Sequence, residues 1–235
     1  MTSTPKSKEG IVKRFLEIGG VAAGVVLIAF GVAAVVLGAN GKSTVANELK
    51  LQQIVGTPDM TPKAITAEAK TAGLNVSATP IPTCSVANLP VDNGSRARCF
   101  GEYMRIHTLD ATHGIPYSQM GMYAAKPGTP KSQLMKDGAT DNTQYAQIDP
   151  ATKQPVSNGA RNIWVTETSL TTALNASYMA EQMANFGIVV GIALLLSGFG
   201  FLILALGGAL GNESWFFRRF AMRNGSTSKS APLGV

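Results

Sequence analysis

Two long runs of apolar residues dominate the pattern of hydrophobic and polar positions along the chain. Residues 18–39 and residues 186–211 contain no Asp, Glu, Lys, Arg or His. As α-helices they would extend over about 33 Å and about 39 Å, enough to cross a hydrocarbon core of about 30 Å. Helices buried in a soluble core rarely need more than about 14 unbroken apolar positions. The pattern therefore predicts two transmembrane helices.

The first run has an alternative interpretation as a cleaved signal peptide. Its basic flank, Lys13 and Arg14, fits that interpretation, but the run exceeds the usual apolar region of about 7–15 residues. Residues 36–39 also lack a clear A-x-A cleavage site. A retained span is favoured over cleavage, which would leave a single-span protein.

Helix start and stop signals organise the segment between the two runs. Ser43 is a plausible N-cap for a short helix that follows the exit of the first span. Thr61 and Pro62 start a second helix, which Gly73 stops. A third helix is predicted over residues 94–109, with a cap at Asp92 or Asn93.

The next segment, residues 111–160, is rich in Gly and Pro and predicts at most a short hairpin near 149–153. From Thr166 the periodicity is helical, and no breaker separates it from the second run, so one long helix is expected. The predicted organisation is a tail (1–17), a transmembrane helix (18–39), a mainly α domain (40–185), a second transmembrane helix (186–211) and a tail (212–235).

Charge predicts the orientation of these segments. Only 14% of residues are charged, against about 25% in soluble proteins. Eight of the 20 Lys and Arg residues lie in the two short tails. The net charge of +6 therefore indicates cytoplasmic termini and attraction to anionic lipid, not nucleic-acid binding. The domain between the spans is expected to be extracytoplasmic.

The two cysteines, Cys84 and Cys99, both lie in that domain. In an oxidising compartment, a pair that closes a short loop is typical of a disulfide. The alternative is a pair of unpaired buried thiols. The predicted compartment favours the disulfide.

Small residues recur at regular spacing in both spans, which predicts a tightly packed helical hairpin. The spacing places each set on one helix face; the residues are Gly20, Gly24, Gly31 and Gly38 in the first span, and Gly187, Gly191, Gly198 and Ala205 in the second. A second small face of the second span predicts contact with a further helix; it comprises Ala193, Ser197, Gly200, Gly207 and Gly211. Aromatic and basic residues at its exit predict a headgroup contact; they are Trp215, Phe216, Phe217, Arg218 and Arg219.

Candidate chemistry is sparse. The sequence Gly41-Lys-Ser-Thr44 matches the end of a phosphate-binding loop but lacks the earlier glycine, because position 36 is Val. His107 and His113 flank Asp110, yet their spacing of six does not suit shared ligation on one helix. The alternative is a zinc site formed if the chain after the helix bends back, but solvated polar residues at a helix end are far more common. The sequence thus predicts no metal, no cofactor and no catalytic residue.

Two segments resemble uncharacterised two-span membrane proteins of actinobacteria. They are Gln53-Ile-Val-Gly-Thr-Pro-Asp59 and Arg161-Asn-Ile-Trp-Val-Thr-Glu-Thr-Ser169, which precedes the second span. The resemblance covers most of the chain and implies a bacterial plasma membrane, but no activity.

These observations favour an α-helical integral membrane protein that is not an enzyme. The expected role is that of an accessory or scaffold subunit, with the lipid bilayer and other membrane subunits or a second copy as partners. The alternative is an extracytoplasmic ligand-binding or sensing module anchored by the hairpin. An enzyme that acts on envelope components is less favoured.

Overall fold

A computed structural model of the chain describes residues 6–75, 77 and 79–207. Throughout this part of the chain the regular structure is helical, and only isolated bridges occur in place of strands. The prediction of a mainly helical chain is confirmed. The α-helices are α1 (Lys6–Leu51), α2 (Pro62–Thr71), α3 (Gly94–Ala111) and α4 (Gly159–Gly207). Three short 3₁₀ helices cover Tyr117–Gln119, Lys131–Gln133 and Thr143–Tyr145.

The chain divides into two compact units. Unit 1 combines Met1–Asn40 with Ala184–Val235, of which residues 6–40 and 184–207 are described. Unit 2 is the continuous segment Gly41–Met183. The apolar runs predict a central domain over residues 40–185, and its extracytoplasmic location stays a prediction.

Two helices are long and apolar enough to cross a membrane, over Arg14–Leu51 and Gly159–Leu206. Their apolar side chains are mostly exposed; Phe30 is 66% exposed and Leu196 is 69% exposed. A helix in the core of a soluble protein would bury such residues.

The ends of these helices differ from the sequence-based prediction. The separate helix expected to begin at Ser43 is wrong, because α1 is unbroken to Leu51 despite Gly41. Helix α4 begins at Gly159, earlier than the periodicity at Thr166 indicated. There the side chain of Asn158 accepts a hydrogen bond from the Ala160 N–H (3.1 Å), which satisfies one of the free donors of the first turn.

The core of unit 2 forms where α2 and α3 pack together. Ile65 of α2 and Tyr103 and Ile106 of α3 are fully buried. Both predicted N-caps are present: Thr61 Oγ1 accepts from the Ala64 N–H (3.2 Å), and Asn93 Oδ1 accepts from the Arg96 N–H (2.9 Å). The caps fix where each helix begins and therefore which face it presents to the core.

The loop before α2 lies against the segment that precedes α3. A Cβ at Gly56 would lie 2.0 Å from the carbonyl oxygen of Val86, so only glycine permits this approach. Backbone hydrogen bonds join Gly56 N–H to Leu89 O (3.0 Å) and Val91 N–H to Ile54 O (2.8 Å). The loop is thereby fixed at the edge of the core.

Residues 111–158 are joined by backbone hydrogen bonds at isolated bridges, such as Tyr123 with Thr140, and by side chains such as that of Asn158. Asn158 Nδ2 donates to Gly121 O (2.8 Å) and to Asp137 Oδ2 (2.6 Å). Near 149–153 the chain forms the short hairpin that the sequence predicts: the antiparallel bridge between Ile148 and Pro155 and the hydrogen bond from the Val156 N–H to Gln147 O (2.8 Å) flank its turn.

Cys84 and Cys99 form a disulfide that joins the loop before α3 to that helix. The Tyr103 hydroxyl, one turn further along α3, donates to Cys84 O (2.6 Å). The predicted pairing is therefore present in the structure. The sulfur bridge and the hydroxyl hold the same loop on α3.

We predict that replacing Cys84 and Cys99 together by Ser lowers the free energy of unfolding by about 3 kcal/mol, because the open loop regains conformational entropy in the unfolded state. Thermal unfolding of the full chain in mild detergent measures this. Reductant should lower the midpoint of the wild type and leave that of the variant unchanged. Equal midpoints for the oxidised wild type and the variant would contradict the prediction.

Candidate functional site

The two apolar helices of unit 1 meet at glycines that face one another. A Cβ at Gly24 would lie 2.9 Å from Gly198 O, and a Cβ at Gly198 would lie 2.8 Å from Gly24 O. Gly31 and Gly191 repeat this relation at 2.9 Å and 2.8 Å. Any side chain at these four positions would collide with backbone, so the helices approach as closely as their main chains allow.

We call this line of close contacts between α1 and α4 the seam. It continues towards both ends of the hairpin. A Cβ at Gly38 would lie 2.6 Å from Ala184 O, and one at Gly20 would lie 3.0 Å from the Ala205 Cβ. Gly187 differs, because the nearest atom to its Cβ would be Ala34 O at 3.8 Å, an ordinary contact. Seven of the eight residues predicted for packing thus meet the opposite helix closely, and Gly187 does not.

Each close glycine receives a branched side chain from the other helix. Leu202 lies over Gly24 and Leu195 over Gly31, with Cγ 2.8 Å from the Cβ position in both cases. The reverse contacts are Ile28 over Gly198 and Val35 over Gly191. Small and branched residues therefore alternate across the contact, which is the packing that holds helices together where lipid surrounds them.

The second small face of α4 takes no part in this seam. A Cβ at Gly200 would meet nothing within 4 Å, and Ala193 and Ser197 are exposed. The α4 glycines therefore differ: Gly191 and Gly198 lie close to α1, Gly187 makes an ordinary contact, and Gly200 is open.

The remaining predicted contacts fall beyond what the structure describes. The side-chain environment of Gly207 and the whole of Gly211 lie outside the described residues. The same holds for the expected headgroup contact, which comprises Trp215, Phe216, Phe217, Arg218 and Arg219.

Unit 2 contains a cluster of titratable side chains around His107. The His107 Nε2 lies 2.8 Å from Asp59 Oδ2 and 3.7 Å from Glu68 Oε1. One potential ligand atom from each of the three residues lies within 4.8 Å of the other two. Asp110 and His113, the sequence neighbours considered with His107, are not part of this group; His113 is exposed and has a φ of 53°.

The pKa values of the two carboxyl groups in this cluster shift in opposite directions, down for Asp59 and up for Glu68. A hydrogen bond from the Thr57 side chain lowers the pKa of Asp59, opposed by partial burial. Burial raises the pKa of Glu68, opposed by His107 and reinforced by the negative charges of Asp59 and Asp110.

A groove of about 520 Å³ lies between α3 and the part of α4 in unit 2. Arg98 and Arg105 line it, with the Arg98 guanidinium 5.0 Å from the centre of the Tyr178 ring. Glu167, buried at the base, accepts a hydrogen bond from the Thr171 hydroxyl (3.0 Å). The sequence analysis missed these two arginines. Their spacing of seven residues places both on one face of α3 and could have located the groove.

A second buried carboxylate fixes the start of α3. Glu181 of α4 accepts a hydrogen bond from the Gly94 N–H, a free donor of the first turn. A Cβ at Gly94 would lie 2.7 Å from the Tyr178 Cα, so this contact also requires glycine.

Comparisons with protein-family models, with curated proteins and with solved structures found no match to the chain. The functional assignment therefore depends on the residues of this chain alone.

Gly198, which lies close to α1, and Gly200, which is open, give a matched pair of substitutions on one helix. We predict that Gly198→Ala destabilises the hairpin by about 1–3 kcal/mol, because the added methyl overlaps the backbone at Gly24. Gly200→Ala should leave stability unchanged or raise it by up to about 1 kcal/mol, since Ala favours helix over Gly. Unfolding of the full chain in mixed detergent micelles measures both. Equal effects of the two substitutions would contradict the close contact.

Proposed function

We propose that the chain is a two-span membrane protein that acts as a non-catalytic accessory or scaffold subunit of a larger membrane assembly. The observation that carries the proposal is the open small face of α4 at Gly200. Its expected occupant is a further helix, from another membrane subunit or from a second copy of this chain.

Glycine destabilises a helix, so a glycine in a helix interior is expected where close packing requires it. Relative to Ala, each interior glycine destabilises a helix by about 1 kcal/mol. At Gly191 and Gly198 the approach of α1 explains the residue, whereas at Gly200 nothing in the hairpin does. A surface that faced only lipid would need no small residue, so Gly200 with Ala193 and Ser197 suits the close approach of another helix.

The tails support insertion with both termini in the cytoplasm. Each tail has four Lys or Arg residues within a short distance of a span, as the positive-inside rule requires. This orientation places unit 2 in an oxidising compartment, where the Cys84–Cys99 disulfide persists. The resemblance to actinobacterial two-span proteins favours a bacterial plasma membrane.

A second candidate function is supported by the groove between α3 and α4. Its volume of about 520 Å³ lies within the range of small-molecule sites, about 300–1,000 Å³. Its lining carries two charges of each sign, from Arg98 and Arg105 and from Glu102 and Glu167, and Arg98 pairs with Glu102 (3.3 Å). Thr171 and Tyr178 supply further polar groups. Unit 2 would then bind a small polar ligand with an anionic group, held by the arginines, outside the membrane.

For the orientation, we predict that trypsin added to intact cells cleaves within unit 2. The exposed Lys131, Lys136 and Lys153 lie in turn-rich segments that a protease can reach. An epitope at either terminus should be protected until the membrane is permeabilised. Cleavage of the C-terminal epitope in intact cells, with unit 2 protected, would overturn the orientation.

For the partner, we predict that Ala193→Leu combined with Gly200→Leu releases a co-purifying subunit or second copy. The added side chains fill the open face and keep the seam at Gly191 and Gly198 intact. Native mass spectrometry from mild detergent measures the mass of the complex. A matched control, Ala29→Leu with Ala33→Leu, enlarges two exposed positions of α1 and should leave the mass unchanged.

A wild-type mass equal to that of a single chain would remove the support for the scaffold function. In that case, thermal stabilisation of the wild type by a small anion, lost when Arg98 and Arg105 are both replaced by Ala, would favour the binding module instead.

A further inference from the structure

We propose that Asp59, Glu68 and His107 form a binding site for a divalent transition-metal ion, specifically Zn²⁺, in unit 2. The site is separate from the seam of the apolar helices and from the groove beside Arg98. It does not depend on the scaffold function.

The donor atoms are already close to the spacing that a metal ion requires. Zinc binds imidazole nitrogen and carboxylate oxygen at about 2.0–2.2 Å, which places neighbouring donors about 3.3 Å apart in a tetrahedron. The two measured distances from His107 Nε2, 2.8 Å to Asp59 and 3.7 Å to Glu68, lie on either side of this value. The Asp59 and Glu68 oxygens also lie within 4.8 Å of each other, so side-chain rotations that shorten this distance would place all three donors around one ion.

The surroundings of the His107 nitrogen suit a metal ligand. Nε2 is buried between two carboxylates, 2.8 Å from Asp59 Oδ2 and 3.7 Å from Glu68 Oε1. A proton on Nε2 would serve the nearer carboxylate, that of Asp59. A metal ion bonded to Nε2 would be shared by both carboxylates at once.

The chemistry of the donors selects the class of metal. Two carboxylates offset the charge of a divalent cation, which a group with one acid would do only in part. Magnesium and calcium prefer oxygen ligands alone, whereas imidazole suits zinc and its neighbours. Three protein donors leave one position of a tetrahedral zinc ion for water or for an exchangeable ligand.

The fold holds the three donors on separate segments with defined positions. Glu68 and His107 lie on α2 and α3, beside the buried residues Ala69 and Ile106. Asp59 lies in the loop before α2, where its carbonyl accepts a hydrogen bond from the Thr61 N–H (2.6 Å). A metal ion would therefore link this loop to both helices, at the opposite end of α3 from its capped start.

The test uses the full chain without an affinity tag, purified in mild detergent and stripped with a chelator. Zn²⁺ is titrated against a chromophoric competitor. We expect one Zn²⁺ per chain, undisturbed by excess Mg²⁺, and a rise in the unfolding temperature of the protein. His107→Ala should weaken binding by at least about tenfold, because even residues that only orient a metal ligand contribute about 10–100-fold.

The other histidine supplies the matched control. His113→Ala removes an exposed imidazole from the turn just after α3 and should bind Zn²⁺ like the wild type. If His107→Ala unfolds, Glu68→Gln tests the same site with a side chain of equal size and should also weaken binding. The proposal is overturned if no stoichiometric Zn²⁺ is bound, if Mg²⁺ displaces it, or if the His107 and Glu68 variants bind as His113→Ala does.

Discussion

The close approach of two helix backbones at Gly24–Gly198 and Gly31–Gly191 is the contact on which the hairpin depends. In lipid, apolar surfaces gain no hydrophobic free energy from association, so a hairpin inserted in a membrane would be held together by contact itself. Dispersion forces fall steeply with distance, and a gap of less than 1 Å forfeits much of each contact. Removing the side chain from four facing positions brings the main chains near enough for Leu195 and Leu202 to fill the remaining space.

Unit 2 uses the same device in a different setting. Gly94 and Gly101 of α3 are seven residues apart, and a Cβ at each would lie 2.7 Å from the Tyr178 Cα and 3.1 Å from the Thr171 Cγ2. Buried carboxylates accompany this contact, since Glu181 bonds to the start of α3 and Glu167 bonds to Thr171. In unit 2, hydrogen bonds therefore help to fix how α3 and α4 pack. In unit 1 the contacts described between the two helices are apolar side chains packed against glycines.

The features predictable from sequence are those set by local chemistry. Charge-free runs, the capping residues Thr61 and Asn93 and the cysteine pair each have a signal within a few residues. The 3₁₀ helices were missed, because a single turn has no hydrophobic period, and only the turn at Thr143–Tyr145 has a side-chain cap, Asn142. The group around His107 was missed for another reason: its partners are 48 and 39 positions away in the chain, and only the packing of α2 on α3 brings them together.

The spacing of the seam glycines has a mechanical consequence. The present register pairs Gly24 with Gly198 and Gly31 with Gly191. A slide of four residues, about 6 Å of helix, would again place glycine opposite glycine, at Gly20–Gly198 and Gly31–Gly187. Branched side chains such as Leu195 and Leu202 lie against the glycines of the present register and would have to leave them before the next one forms. Axial motion between the two helices would therefore be a step between registers rather than a continuous slide.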